Sequence, residues 1–124
     1  MQDYRKLLVW NKAHNFALRI YKVTSCFPKE ETYSLVSQLR RAVVSIPSNI
    51  AEGCGRNGNK ELKQFISISL GSSNEVEYQL LLAYDLGYIT PSEYEKLKDE
   101  ILEIRKMLIG FINKLCVNLK TNNC

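Results

Sequence analysis

Apolar residues recur along the chain at alternating intervals of three and four. Over residues 9–24, Trp10, Ala13, Ala17, Ile20 and Thr24 fall on one helical face. The pattern stops at Phe27-Pro28, because a proline disfavours helix in the residue before it. A second pattern begins between Pro28 and Tyr33 and carries Leu35, Leu39, Ala42, Val43, Ile46 and Ile50 to a stop at Gly53-Cys54-Gly55. Pro47 lies inside this pattern. Proline lacks the backbone donor and crowds the carbonyl four residues back, so the reading predicts a kink over 43–47 or a break.

A third helix is predicted from Asn59 as cap, with Leu62, Phe65, Ile66, Ser69, Ser73, Val76, Leu80 and Ala83 facing inward. It ends at Leu86-Gly87, with the glycine as a left-handed stop. The fourth start is the clearest. Thr90-Pro91-Ser92-Glu93 supplies an N-cap threonine, a proline at the first helical position and a glutamate at the third, which is a capping box. Tyr94, Leu97, Ile101, Ile104, Leu108, Phe111 and Leu115 then form a continuous seam, and the polar 120–124 tail is expected to fray. No segment alternates as a strand would, and the three connections are short. The expected fold is therefore all-α, an antiparallel up-down-up-down four-helix bundle forming a single domain over 1–119.

The apolar surface exceeds what one bundle needs. Leu102, Ile109 and Cys116 widen the face of helix four, and Ile68, Leu82 and Leu86 lie roughly opposite the inner stripe of helix three. Helix two carries Ser34, Ser37, Ser45 and Ser48 with Arg41 and Glu52 on the face away from Leu39 and Ile46. Small side chains admit a second helix closely, so Ser34, Ser37, Arg41, Ser45, Ser48, Glu52, Ile68, Glu75 and Leu82 are read as an oligomer interface. Arg41 has two readings, either paired in that interface with Glu52 or Glu75 of a neighbour or left to a ligand. The competing reading is one wide core with a solvated serine row. Gly71-Ser72-Ser73 is either a close helix crossing or a local weakness.

Length and composition fit one globular domain: 124 residues, 45% hydrophobic and 24% charged, with a net charge of +4. The charge is uneven. Through Gln64 eleven basic residues face five acids, a net +6, and the remainder has six against eight, a net −2. That split makes a basic surface for phosphates plausible, the alternative being a solvated charged face. No apolar run is long enough for a membrane span and the first residues do not read as a leader, so a cytoplasmic protein without membrane contact is expected. The four cysteines form no C-x-x-C pair and His14 is the one imidazole, so neither a metal nor a cofactor is expected. No nucleophile, base and orienting group can be assembled into a catalytic site. The 53–58 run resembles a phosphate loop only superficially, since no strand precedes it and the Walker lysine-hydroxyl pair is missing, although Arg56 and Lys60 stand where they could meet a phosphate. Tyr4, Tyr21 and Tyr33 are candidates for base stacking, or else packing residues with a wet hydroxyl.

The run 38–53, QLRRAVVSIPSNIAEG, followed by Gly55-Arg56, resembles the signature of the four-helix-bundle proteins encoded in intervening sequences of bacterial large-subunit ribosomal RNA genes. Val9-Trp10, Ile20-Tyr21, Phe27-Pro28 with Glu31, Phe65, Gly71-Ser72 and Glu75 extend the likeness over nearly the whole chain. The resemblance implies a left-handed bundle assembled as a homopentameric ring with no established enzymatic activity. A related group, the accessory variability proteins of diversity-generating retroelements, is similar in fold and works with a reverse transcriptase and nucleic acid through basic surfaces. Carried over, this implies nucleic-acid contacts at Arg40, Arg41 and Arg56, to which Lys60 and Lys63 are added from charge position. Cys54 stands where the family often has an aromatic ring. The expected function is a non-catalytic oligomeric scaffold that binds RNA or DNA. The alternative is a protein-binding adaptor ring that presents a surface to a polymerase or reverse transcriptase without nucleic-acid contact.

Overall fold

The computed structural model describes residues 2–119. Four helices account for most of them: α1 (Leu8–Thr24), α2 (Leu35–Cys54), α3 (Asn59–Asp85) and α4 (Pro91–Leu119). Short 3-10 turns at Tyr4–Lys6 and Lys29–Glu31 precede α1 and α2, and no strand occurs among the described residues. Each of α1–α2, α2–α3, α3–α4 and α4–α1 is in contact, which closes a four-helix bundle. The 120–124 tail lies outside the described residues.

The predicted stripes form the core. Ile20, Leu39, Val43, Ile46, Ile50, Ile66, Val76, Ala83 and Leu108 are completely buried, and Leu97, Ile101, Ile104 and Leu115 of the α4 seam are nearly so. Burying such a side chain stabilises the fold by roughly 1.5–3 kcal/mol, so these positions dominate its free energy. Trp10, Phe65, Tyr94 and Phe111 are half-buried at its edge. Phe16 and Val9, on the same side of α1, are also buried.

Helix α2 and α3 approach most closely through small residues. Ser69 Oγ donates to the Ile46 carbonyl over 2.8 Å, and the Ser45 and Ser72 hydroxyls are 2.9 Å apart. Towards the other end of α2, a Cβ on Gly53 would stand 2.9 Å from Leu62 Cδ1 and from Phe65 Cβ. The contacts thus step forward along one helix and backward along the other. Gly53 is consequently a packing residue inside the last turn of α2, and the chain stops at Cys54 just beyond it.

Of the two outcomes expected at Pro47, the break does not occur: α2 continues through the proline. Asn49 Nδ2 donates to the Ser45 carbonyl (2.8 Å) and Ser69 Oγ to that of Ile46, two side-chain bonds within the turn that carries the proline. Helix α2 starts at Leu35, later than predicted, because the residues after Pro28 form the separate 3-10 turn. Asn59 is the first residue of α3 and Gly58 occupies the cap position, without a side-chain cap bond.

The other punctuation follows the sequence. Gly87 has φ +81°, and the amides of Gly87 and Tyr88 donate to the carbonyls of Tyr84 and Ala83, a Schellman stop. Thr90 Oγ1 accepts from the Glu93 amide at 3.1 Å, as an N-cap should.

Candidate functional site

A concave feature runs along α1 and α2. One cavity of about 410 Å³ is lined by rings of Tyr4, Trp10, His14 and Tyr21 over a floor that includes Ala17, Pro47, Ser48 and Ala51. A second, of about 560 Å³, shares Tyr21, Val44 and Ser48 with it and continues to Tyr33, Ser37, Arg40, Arg41 and Ser45. The two share a wall and form one groove, and among the described residues no carboxylate lines either part.

Its wall is built by helical spacing. On α1, His14, Leu18 and Tyr21 are separated by four and three residues; on α2, Ser37, Arg41, Val44, Ser48 and Ala51 repeat the same alternation. Trp10 and His14, one turn apart, stack with ring centroids 5.1 Å apart and planes within 6°. Tyr4, carried by the first 3-10 turn, meets Trp10 edge-on at 4.9 Å. Tyr33 is 96% exposed.

Arg40 and Arg41, adjacent in sequence, have different surroundings. The Arg40 guanidinium lies over the Tyr21 ring at 4.5 Å; its Nε donates to Thr24 Oγ1 (2.9 Å) and its Nη2 to the Tyr21 carbonyl (3.2 Å). A cation here also complements the negative end of the α1 dipole. Arg41 is exposed and makes no hydrogen bond or ion pair among the described residues.

The remaining predicted basic residues are elsewhere. Arg56 follows α2, its Nη2 bonded to Glu52 Oε1 at 2.7 Å and its guanidinium 4.9 Å from the centre of the Phe65 ring. Lys60 is exposed and Lys63 half-buried at the start of α3. Helical rise puts this group about 20 Å from Arg41 along α2. The five predicted cations thus form two groups.

The predicted interface is also divided. Ser37, Arg41, Ser45 and Ser48 line the groove, whereas Ser34 is the exposed residue preceding α2. Ser45 already meets Ser72, and Glu52 is paired with Arg56 inside the protomer. On α3, Ile68 is 51% exposed, Glu75 is exposed and accepts from Gln79 Nε2, and Leu82 is half-buried against the core. A Cβ added to Gly71, on the same outward side, would meet nothing within 4 Å, so the close α2–α3 crossing does not explain that glycine.

Sequence reasoning missed Trp10, His14, Leu18 and Val44 as groove residues. Their signal was present in the second apolar line on each helix, but not the fact that the two lines face each other. For Glu31, named in the family likeness, that reasoning gave no partner. Its Oε2 accepts from the Tyr88 hydroxyl at 2.7 Å, and this hydrogen bond pushes the Tyr88 ionisation above its usual range. Cys54 is buried, and burial raises its thiol. Among the described residues no group of three His, Cys, Asp or Glu side chains is placed to hold a metal. None of the described helices is long and apolar enough to cross a membrane.

A four-helix bundle with an unbroken, proline-containing second helix defines the structural class. The family model for the 23S rRNA-intervening sequence protein matches residues 5–110, and the chain belongs to that family. It is also similar to the crystal structure of a protein of unknown function from the S23 ribosomal protein family of Bacteroides thetaiotaomicron VPI-5482. That likeness has 31% identity and a TM-score of 0.80, covering 86% of this chain and 96% of the other. No curated protein sequence matches the chain.

Proposed function

We propose that the chain is a non-catalytic, self-associating scaffold that binds RNA or DNA through phosphate contacts. One observation carries this reading: the α1–α2 groove presents Arg40 and Arg41 with no carboxylate in its lining. A polyanion meets no opposing charge there, and neutralising its phosphates releases counterions. Arg56, Lys60 and Lys63 supply a second point of attachment beyond the far end of α2. The Arg56–Glu52 pair is exposed and weak, so a phosphate can compete for the arginine.

Self-association is assigned to the outward side of α3, where Ile68, Glu75 and Leu82 flank the open position at Gly71. Tyr78 on the same helix and Leu86, the residue that caps it, add exposed apolar area. The family resemblance makes the expected assembly a homopentameric ring. The same apolar face favours the second reading, an adaptor that holds a partner protein without nucleic acid.

Binding of a labelled polynucleotide, followed by anisotropy as salt is raised, separates the two. The scaffold reading expects affinity to fall steeply with salt; absence of binding at low salt overturns it and leaves the adaptor. Light scattering across a dilution series tests the assembly, and a protomer mass at every concentration rules it out.

A further inference from the structure

The groove holds more than charge. Five rings border it, those of Tyr4, Trp10, His14, Tyr21 and Tyr33, and its floor is made of small side chains. A duplex shows a protein its phosphates and groove edges, with its bases stacked inside. A single strand offers free base faces, which stack on aromatic side chains of any sequence context. An exposed Tyr33 has no packing function inside the protomer. Arg40 holds the Tyr21 end of the groove through two donors and the ring face, and among the described residues its Nη1 has no partner. Arg41 stands beside it with all its donors unpaired among the described residues.

We infer that the α1–α2 groove is a site for single-stranded polynucleotide, with bases against Trp10, Tyr21 and Tyr33 and phosphates on Arg40 and Arg41. This rests on the nucleic-acid reading above and narrows it to a strand type and a place. It also assigns Arg41 to the ligand, leaving α3 to make the subunit contact. Charge complementarity decides the occupant. In a second copy of this chain Glu52 is already paired with Arg56, which leaves Glu75 of the predicted pairing to face two arginines, whereas a polynucleotide supplies one phosphate per nucleotide along the groove.

Trp10 makes the site directly observable, since it is the chain's one tryptophan. The experiment titrates the full chain with a short oligouridylate and with a duplex of equal length, reading Trp10 emission and the anisotropy of a label on the nucleic acid. The expected result is quenching of Trp10 by the single strand, with weaker binding of the duplex. Tyr33→Ala should weaken the single strand roughly tenfold, the order of one base-stacking contact. Its ring is exposed, so the variant folds; Arg41→Ala provides an independent second variant.

Equal binding of strand and duplex, with Trp10 emission unchanged and Tyr33→Ala without effect, overturns the groove assignment while leaving phosphate binding elsewhere intact. No binding of either nucleic acid overturns the scaffold reading as well. Trp10 emission that changes on dilution of the protein but not on adding oligouridylate shows instead that a second copy covers the groove, and it too overturns the inference.

Discussion

Gly53 and Phe65 stand so close that a Cβ on the glycine would lie 2.9 Å from the phenylalanine Cβ. The opposing atom is next to the backbone and cannot swing aside, so α2 and α3 would have to separate locally. Gly53→Ala is expected to destabilise the fold by about 1–3 kcal/mol, as overpacking does. Gly110→Ala, in the interior of α4, is the control: its added Cβ meets nothing within 4 Å, and helix propensity favours alanine by up to about 1 kcal/mol. Urea denaturation should move the two midpoints in opposite directions. A Gly53→Ala midpoint equal to wild type would rule out the close approach.

Arg40 and Arg41 should separate stability from binding. Arg40→Ala removes two hydrogen bonds at the end of α1 and the cation over Tyr21, and is expected to cost about 1–3 kcal/mol. Arg41→Ala breaks no contact within the protomer and should leave the midpoint within about 0.5 kcal/mol. Its effect belongs to polynucleotide affinity, where the log–log salt slope should shrink by about 1. Thermal melts and salt titrations on both variants check this; an Arg41→Ala protein with unchanged affinity and slope counts against the arginine as a phosphate ligand.

The Tyr88–Glu31 hydrogen bond predicts an alkaline pH dependence. The folded-state ionisation of Tyr88 lies above the ordinary value of 10.0 because the neutral hydroxyl donates to the Glu31 carboxylate. A raised pKa means that the contribution is fully present below the unfolded-state value and is lost as pH rises through the folded-state value. Chemical denaturation from pH 8 upward should therefore show a fall in stability above about pH 10 that Tyr88→Phe diminishes. Identical alkaline profiles for the two proteins would contradict the linkage.

Cysteine reactivity should follow burial. Cys26 is exposed, whereas Cys54 is buried and its thiol is raised by that burial, so little thiolate is available for attack. Iodoacetamide labelling mapped by peptide mass should modify Cys26 in the native protein, and Cys54 only at the rate of local opening. Native-state labelling of both at similar rates would place Cys54 nearer solvent than the structure does.

The sequence made the helices legible because their signal is local. The seam from Tyr94 to Leu115 and the stripe from Leu62 to Ala83 each needed only a period, and Thr90 and Gly87 needed only a capping rule. Residues 29–34 misled because the acidic, hydroxyl-bearing stretch suits a helix start and a 3-10 turn equally well. At Pro47 a kink and a break are both open from sequence, and the Ser69 bond to the Ile46 carbonyl comes from another helix, where no local rule reaches. The groove was half legible. His14, Leu18 and Tyr21 form a visible line, as do Ser37, Arg41, Val44, Ser48 and Ala51, but their register against each other is set by tertiary packing. The family likeness grouped Arg40 and Arg41 with Arg56, and charge position added Lys60 and Lys63, although the length of α2 divides the five.

Glu31 and Tyr88 are 57 residues apart in sequence, yet they tie the connection before α2 to the one before α4. Glu31 Oε1 also accepts from the Leu35 amide at 3.4 Å, and the Tyr88 ring packs 5.3 Å from Phe27. Two loops that would otherwise fluctuate separately therefore open as a single cooperative unit. Native-state hydrogen exchange should give the amides of Leu35 and Tyr88 the same opening free energy, and loss of the Tyr88 hydroxyl should lower protection in both loops. At the opposite end Gly55 and Gly58 offer no side chain for such a clasp, and a backbone bond from the Gln2 amide to the Cys54 carbonyl (3.1 Å) ties the first residues to the end of α2. Sub-global unfolding of this bundle should thus begin there and reach the clasped end last.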